Sequence, residues 1–340
     1  MGKFVTFGEI MLRLAPPGYE RFVQAKSFDV VYAGGEANVA VSLANYGLDA
    51  SFVTKLPRNE IGQAAVNELR RWGVDVSQIR RGGERIGIYY CEKGASQRAS
   101  KVIYDRAHSA MAEAGPADFD WKTILSGARW FHFTGITPAL SDGCAALCAE
   151  AVTAAKSAGA IVSVDLNYRK KLWSSEKANS VMSGLARHCD VIIANEEDAE
   201  KVFGIAARHT DVRSGQIDES AYTQVAEEIV RRFGAKFVAI TLRESRSASD
   251  NGWSALLYDG SRLYRSKKYE MHIVDRVGGG DAFSGGLIYG LSAGMGAQLA
   301  LEFATGASCL KHSVEGDFNA VSVQEVEDLI GGGGSGRVDR

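Results

Sequence analysis

A run of three glycines followed by an aspartate has the clearest chemical potential in this sequence. The segment 274–283 reads VDRVGGGDAF; it follows a predicted strand at Lys268–Val274 and opens a long uncharged helical stretch. Glycines let the backbone approach a ligand closely, and N–H groups at a helix N-terminus favour an anion. Asp281 beside such a site would be either a general base that deprotonates a hydroxyl or a helix cap. The segment alone does not decide between these two roles.

Two common nucleotide-binding motifs are excluded at this segment. A Walker A loop requires the pattern GxxxxGK[ST], which the sequence lacks. A dinucleotide fingerprint requires a small residue three positions after its second glycine, and Phe283 stands there instead. The glycine run is therefore not expected to bind a dinucleotide in the Rossmann manner.

A second glycine-rich segment near the start of the chain could bind a polyol. Residues 33–40 read AGGEANVA, so a Gly pair leads into a predicted helix whose first turn carries Asn38. The side-chain amide of Asn38 offers both a donor and an acceptor, which suits sugar hydroxyls. Taken alone the signal is weak, because two glycines before a helix are usually only a turn.

The composition excludes several classes of protein. The chain has 340 residues, 46% of them hydrophobic, and a net charge of -2, so it is globular and has no overall positive charge to attract nucleic acid. Its five cysteines are scattered without a CxxC pair, which argues against a disulfide framework or a zinc site. Lys3 and Glu9 interrupt the N-terminal segment, which leaves no apolar core for a signal peptide. Reduced cysteines in the cytoplasm fit best.

The elements that must position these residues alternate between strands and helices. Because the strands are nearly all apolar, we expect a mostly parallel sheet covered by helices on both faces. The predicted strands are Lys3–Phe7, Ala50–Lys55, Arg129–Thr134, Ala160–Leu166, Asp190–Ala194 and Lys236–Leu242. The predicted helices are Ala37–Tyr46, Glu60–Trp72, Asp142–Ala158 and Tyr222–Phe233.

Two regions interrupt this alternation. Two segments, Ile86–Glu92 and Ala99–Arg106, are predicted to be paired strands with one face exposed to solvent. Phe22–Tyr32 could add a further strand, so we expect a small sheet that acts as a lid. Residues 282–301 carry no charge and are about as long as a membrane span. The glycines in their second half favour two buried helices joined by a turn.

Together, the two glycine-rich segments resemble the signatures of the PfkB (ribokinase-like) family of ATP-dependent sugar kinases. The first signature is similar to Gly34–Asn38 continuing through Gly47 to Gly62, and the second to Asp275–Phe283. The resemblance covers nearly the whole chain. It implies a ribokinase-like α/β/α sandwich with a mostly parallel central sheet of nine or ten strands and a small β-sheet lid.

This fold would form a single kinase domain over residues 1–330. The lid strands would come from about residues 10–34 and 84–110, and residues 331–340 would form a Gly-rich C-terminal tail.

Within that family, several stretches resemble 2-keto-3-deoxygluconate kinases. These are residues 104–110 (YDRAHSA), residues 165–173 (DLNYRKKLW) and residues 311–319 (KHSVEGDFN). The chemistry agrees, because Arg106 and Arg169 could each pair with the carboxylate of a sugar acid, which a neutral sugar lacks.

The resemblance implies a role for each matching residue. Asp281 would be the base, with Gly278, Gly279 and Gly280 around the transferring phosphoryl group. The sugar would contact Gly34, Gly35, Asn38, Tyr89, Tyr104, Arg106, Arg169 and Asp317. ATP would lie near Asn167, Arg169, Asn195, Thr241, Arg243, Gly278 and Gly280.

The resemblance also implies metal ions. Mg²⁺ would be held by Asp198, through water, where the family has a glutamate that is one methylene longer. The wider family often binds a monovalent cation such as K⁺, which would lie here beside Asp275 and Val277.

The sequence therefore predicts a cytoplasmic, homo-oligomeric enzyme whose partners are ATP and a small sugar acid, and which binds neither nucleic acid nor a membrane. The expected reaction is phosphorylation of the terminal hydroxyl of 2-keto-3-deoxygluconate. The alternatives are a kinase for a neutral sugar such as fructose or ribose, and a regulator that binds sugar or nucleotide without catalysis. The intact Asp281 and glycine run count against the regulator.

Overall fold

The computed structural model describes residues 2–195, 197–206 and 219–333. In this part of the chain the strands are β1 (Lys3–Phe7), β2 (Met11–Ala15), β3 (Asp29–Ala33), β4 (Ala50–Val53), β5 (Lys55–Leu56), β6 (Arg80–Arg81), β7 (Gly87–Glu92), β8 (Lys101–Asp105), β9 (Ala128–Thr134), β10 (Ile161–Asp165), β11 (Val191–Asn195), β12 (Phe237–Ser245), β13 (Asp250–Tyr258), β14 (Leu263–Arg265) and β15 (Tyr269–His272).

The helices of the same ranges agree with most of the predicted ones within a few residues. They are α1 (Gly35–Asn45), α2 (Glu60–Arg71), α3 (Trp121–Ile124), α4 (Ile136–Ala139), α5 (Asp142–Ser157), α6 (Ser175–Ala186), α7 (Asp198–Phe203), α8 (Glu219–Phe233), α9 (Gly279–Ser292), α10 (Ala297–Lys311) and α11 (Val323–Asp328).

Nine of the described strands form one main sheet, in the order β14-β13-β12-β11-β10-β9-β1-β4, with β15 also paired to β13. The strands from β12 to β4 in that order are parallel, and β13, β14 and β15 add an antiparallel edge. The expected mostly parallel sheet is confirmed. The predicted strand at Ala50–Lys55 divides into β4 and the short β5, which pairs with β6 in a separate two-stranded sheet.

Both faces of the main sheet are covered. Neighbouring residues along a strand point to opposite faces, and here they join different cores: Phe4 and Trp130 pack with α1, α9 and α10, whereas Val5 and Phe131 pack with α5, α6 and α8. This double burial explains why the strands are almost entirely apolar.

The predicted lid is present as a separate four-stranded sheet in the order β3-β2-β7-β8. Strands β7 and β8 are antiparallel, and most of β8 is exposed, which agrees with the mixed polar pattern of its sequence. Within the segment Phe22–Tyr32, only the part from Asp29 onward is a strand.

The uncharged stretch 282–301 forms parts of two buried helices, as predicted. Gly286 and Gly290 on α9 face α10 so closely that an added Cβ would lie 2.9 Å from the Cα of Ala304 and 2.8 Å from the Cα of Ala300. Glycine is needed there because the two helix backbones touch. Among the described residues, no helix has the length and apolar character required to cross a membrane. Most of the predicted tail, residues 334–340, lies outside the described residues.

Candidate active site

A cavity of about 400 Å³ lies between the lid and the ends of the parallel strands, and most of the predicted site residues line it. The predicted residues that it brings together are Gly34, Gly35, Asn38, Tyr89, Tyr104, Arg106, Asn167, Arg169, Asn195, Asp198, Thr241, Arg243, Val277, Gly278, Gly280, Asp281 and Asp317. Gly279 and Asp275 lie behind this surface: Gly279 packs against the ring of His312, and Asp275 is buried. The carboxyl ends of parallel strands are the usual position for a ligand in an α/β sheet.

The N-termini of α1 and α9 meet on one side of the cavity. Asp281, in the first turn of α9, accepts a hydrogen bond of 2.6 Å from the side-chain amide of Asn38 in α1. Burial raises the pKa of Asp281 to about 6, although the hydrogen bond from Asn38 lowers it. A carboxylate with a pKa near neutrality is suited to exchange a proton with a bound hydroxyl.

The glycine run leaves the start of α9 open to the cavity. Gly278 has a positive φ of 85°, and a Cβ added there would lie 2.0 Å from the carbonyl oxygen of Asp317, so only glycine fits. An added Cβ on Gly280 would meet nothing within 4 Å, which shows free space on that side. The first N–H groups of a helix have no partner within the helix and are available to an anion.

Two further carboxylates line the cavity: Asp165 at the end of β10 and Asp198 at the start of α7. Asp198 accepts hydrogen bonds from the backbone N–H groups of Tyr168 (3.1 Å) and Asn195 (3.2 Å). Burial and the charges of Asp198 and Asp281 raise the pKa of Asp165 well above its usual value, whereas Arg169 opposes this shift. Burial likewise raises the pKa of Asp198. Asp165 opens the stretch 165–173, yet its sequence pattern alone did not assign it a role.

This acidic group fits Mg²⁺ held through water. Repulsion by Asp198 and Asp281 contributes to the raised pKa of Asp165, and a divalent cation would relieve it. Among the described residues, no group of three or more His, Cys, Asp or Glu side chains is placed to hold a metal directly.

The lid places two tyrosines and an arginine on the same side of the cavity. Tyr89 and Tyr104 are directly opposite each other on β7 and β8, with ring centroids 6.0 Å apart. The guanidinium of Arg106 lies 5.5 Å from the ring centroid of Tyr104. It also pairs with the buried carboxylate of Glu9, to which Ser109 donates a second hydrogen bond. Arg106 therefore reaches the cavity with its charge already balanced, which the sequence analysis did not foresee.

A buried ion network lies beneath the lid. Arg13 donates hydrogen bonds to the carboxylates of Asp275 (2.7 Å) and Asp317, and Tyr89 also donates to Asp317. Asp317 lines the cavity, but its carboxylate is committed to Arg13 and Tyr89. The sequence analysis missed Arg13, whose only signal is its place among the inward-facing residues of an apolar strand.

Glu36, in the first turn of α1, connects this helix to the end of β9 through hydrogen bonds. Its carboxylate accepts hydrogen bonds from the backbone N–H (2.9 Å) and hydroxyl (2.8 Å) of Thr134 and from the hydroxyl of Thr137 (2.6 Å). Burial raises the pKa of Glu36 to about 7. These bonds fix α1 to the end of β9 and so help to orient Asn38 towards Asp281.

The far end of the cavity is lined by Thr241, Arg243 and Trp253. The guanidinium of Arg243 lies 5.3 Å from the ring centroid of Trp253. Arg243 therefore stacks on this indole. Trp253 is buried, yet it also contributes to the cavity wall.

A mostly parallel α/β sheet, a β lid and a buried aspartate at a glycine-rich helix N-terminus define a small-molecule kinase. The sequence profile of the pfkB family carbohydrate kinases matches residues 1–322, and the chain belongs to that family. It is therefore a phosphotransferase, and the predicted ribokinase-like fold is confirmed.

Three relatives illustrate this membership. A 2-dehydro-3-deoxygalactonokinase from Haloferax volcanii is 36% identical over 338 residues, which cover 99% of each chain. The crystal structure of 2-dehydro-3-deoxygluconokinase from Thermotoga maritima has a TM-score of 0.94 and 53% identity, covering 98% of this chain and 100% of that one. A putative ribokinase II from E. coli, solved in complex with ATP and Mg²⁺, shares the fold with a TM-score of 0.81 at 20% identity, covering 97% and 99%.

Proposed function

We propose that this protein transfers the γ-phosphoryl group of ATP to the terminal hydroxyl of 2-keto-3-deoxygluconate (2-dehydro-3-deoxy-D-gluconate). The observation that carries the proposal is the buried Asp281 carboxylate, which the Asn38 amide holds beside the open N-terminus of α9. The high identity to the kinase from Thermotoga maritima supports the choice of substrate. The expected homo-oligomer and the cytoplasmic location stay predictions.

The chemistry follows from this geometry. Asp281 takes the proton of the substrate hydroxyl while the hydroxyl oxygen attacks the γ-phosphorus of ATP in line. The bond between the γ-phosphorus and the β,γ-bridging oxygen breaks, and that oxygen leaves with ADP. The N–H groups of Gly278–Gly280 at the start of α9 stabilise the charge on the transferring phosphoryl group. Asn38 keeps the Asp281 carboxylate directed at the reacting atoms, and the lid residues Tyr89 and Tyr104 exclude water from them.

Asp198 and Asp165 would hold Mg²⁺ through water on the nucleotide side of the cavity. When bound there, the ion would supply positive charge that neutralises the phosphates of ATP. Asn195 shapes this position, because its side-chain oxygen accepts hydrogen bonds from the backbone N–H groups of Glu197 (2.8 Å) and Asp198 (2.9 Å). Asn167, Thr241 and Arg243 complete the proposed nucleotide side.

The carboxylate of the substrate would be bound chiefly by Arg169. Its side chain is exposed to the cavity, whereas the charge of Arg106 is balanced by Glu9. We expect Arg169→Ala to lower kcat/KM for the sugar acid about 10–100-fold, because a charge-assisted hydrogen bond is worth about 1.5–3 kcal/mol. Arg106→Ala should raise KM with a smaller effect on kcat. The measurement is kcat/KM of the wild type and both variants.

The matching comparison uses neutral sugars. Fructose and ribose have no carboxylate, so both should be poor substrates of the wild type and Arg169→Ala should change their kcat/KM little. If fructose or ribose equals the acid on the wild type, the neutral-sugar alternative replaces this proposal.

The epimeric acid, 2-keto-3-deoxygalactonate, is a second candidate substrate. The observation that favours it is the relative from Haloferax volcanii, which is named for that sugar acid and matches along the whole chain. Including both epimers in the substrate panel decides between them.

The activity should depend on the ionisation of Asp281. Because burial raises its pKa to about 6 and the base works only when deprotonated, kcat should fall as the pH drops through about 6. Asp317 raises this pKa, whereas Asn38, Arg169 and Lys311 lower it. Asn38→Ala should therefore move the acid limb of kcat to higher pH. Measurements of kcat at saturating substrate would check this, and a profile that is flat through pH 6 would contradict it.

A further inference from the structure

Lys311 is a fully buried cation directly behind the glycine run. It is the last residue of α10, and none of its surface is exposed. Its ammonium donates hydrogen bonds to two backbone carbonyl oxygens, those of Asp275 (3.2 Å) and Val314 (3.3 Å). Within the described part of the chain, its ammonium has no carboxylate at ion-pair distance, because the nearby carboxylates of Asp275 and Asp317 pair with Arg13.

A buried ammonium is costly unless its surroundings favour the charge. Burial lowers the pKa of Lys311 and the charge of Arg13 does the same, whereas Asp275, Asp317 and Asp281 raise it. Beneath the site, the carboxylates of Asp275 and Asp317 thus balance the charges of Arg13 and Lys311. The same charge acts on the proposed base, since Lys311 lowers the pKa of Asp281.

A lysine ammonium and a monovalent metal ion present the same charge to the same ligands. Backbone carbonyl oxygens are the groups that bind K⁺ in proteins, and here two of them accept from Lys311 instead. Of the two residues that the family resemblance placed beside a monovalent cation, Asp275 and Val277, Asp275 already has partners for its carboxylate and for its carbonyl oxygen. The Asp275 carboxylate accepts from Arg13 and from the backbone N–H of Val277. These residues do not fit a free monovalent ion.

We propose that the Lys311 ammonium takes the place of a monovalent cation in this enzyme, so that phosphoryl transfer needs no K⁺. Lys311 is a positioning residue. It holds the carbonyl of Asp275 on one side and the turn after α10 on the other, and Gly278 packs against the backbone of Asp317 in that turn. Its charge also favours the anion that binds at α9.

The first experiment measures the wild type in salts of K⁺, Na⁺ and tetramethylammonium at equal ionic strength. We expect kcat to agree within about twofold in all three, because the cation is part of the chain. Activation of the wild type by K⁺ of tenfold or more would overturn the proposal. This first experiment uses only the wild type, so it tests the proposal even if a substitution at Lys311 prevents folding.

The second experiment uses Lys311→Ala, with Lys55→Ala as the matched control. Lys55 is also partly buried but pairs with Asp118, away from the cavity. In tetramethylammonium salt we expect kcat of Lys311→Ala to fall about 10–100-fold, and saturating K⁺ or methylammonium to restore most of it. Lys55→Ala should respond to neither ion. Full activity of Lys311→Ala without K⁺, or a loss that no cation restores, would contradict the proposal.

Thermal unfolding gives a readout that is independent of the substrate. The Tm of Lys311→Ala should rise with K⁺ concentration at constant ionic strength, whereas the Tm of the wild type should not. This proposal rests on the proposed kinase function only for the kcat measurements. An error in the choice of sugar acid would remove the turnover but would leave this Tm difference, so the two failures can be told apart.

Discussion

Asp281→Asn should bind ATP and fold like the wild type, yet lose about 10²–10⁴-fold in kcat. General bases typically contribute that much, and an amide cannot take the proton of the substrate hydroxyl. The new side chain has the same shape and its oxygen can still accept the hydrogen bond from Asn38, so α1 and α9 should keep their contact. The measurement is kcat for the sugar acid at saturating ATP, together with ATP affinity by calorimetry.

Stability provides the internal control for this variant. Because burial raises the pKa of Asp281, its ionised form opposes folding at neutral pH, and the neutral amide should leave the Tm unchanged or higher. The matched variant Asp142→Asn changes an exposed carboxylate at the start of α5 and should retain wild-type turnover. Near-normal kcat for Asp281→Asn would reduce Asp281 to a helix cap.

The layered fold and the centre of the site follow from local sequence patterns. Apolar strands alternating with helices predicted the parallel sheet, and β1 has the predicted bounds, Lys3–Phe7. The glycine run was informative about the site because Gly278 contacts the backbone of Asp317 and tolerates no side chain. This contact requires a glycine, and a required glycine is visible in the sequence. A polar residue at a glycine-rich helix start, such as Asp281 or Asn38, was therefore predictable.

The charges that support the site were not predictable in the same way. Lys311 follows Ala304 and Ala307 at helical spacing on the buried face of α10, and Arg13 lies between apolar neighbours on β2. Each pattern shows that a charge is buried, but neither identifies the partner. Glu9 is 97 positions from its partner Arg106, and Arg13 is 304 positions from Asp317, so only the folded chain reveals these pairs.

These pairs also bear on the proposed roles of two residues that the sequence predicted for the site. Arg106 and Asp317 line the cavity as expected, but Glu9 balances the first and Arg13 with Tyr89 satisfies the second. We therefore expect any contribution of these two residues to substrate binding to come through shape and residual hydrogen bonds more than through net charge. This is why we propose Arg169 for the substrate carboxylate.

Arg13→Met should destabilise the protein more than any other substitution considered. Arg13 is the shared partner of Asp275 and Asp317, and all three side chains are at most 2% exposed. Removing one member of a buried ion network leaves the others without compensation and typically costs about 3–5 kcal/mol. The measurement is the free energy of unfolding from urea denaturation, with Lys177→Met as the control. Lys177 pairs with Asp142 on the surface, where such a change costs about 0–1 kcal/mol.

A double variant distinguishes an electrostatic cause from a packing defect. Without Arg13, the buried carboxylates of Asp275 and Asp317 lie together with no guanidinium between them. Adding Asp275→Asn to Arg13→Met removes one of these charges and should therefore recover part of the lost free energy of unfolding. If the double variant is no more stable than Arg13→Met, Arg13 acts only through the volume of its side chain.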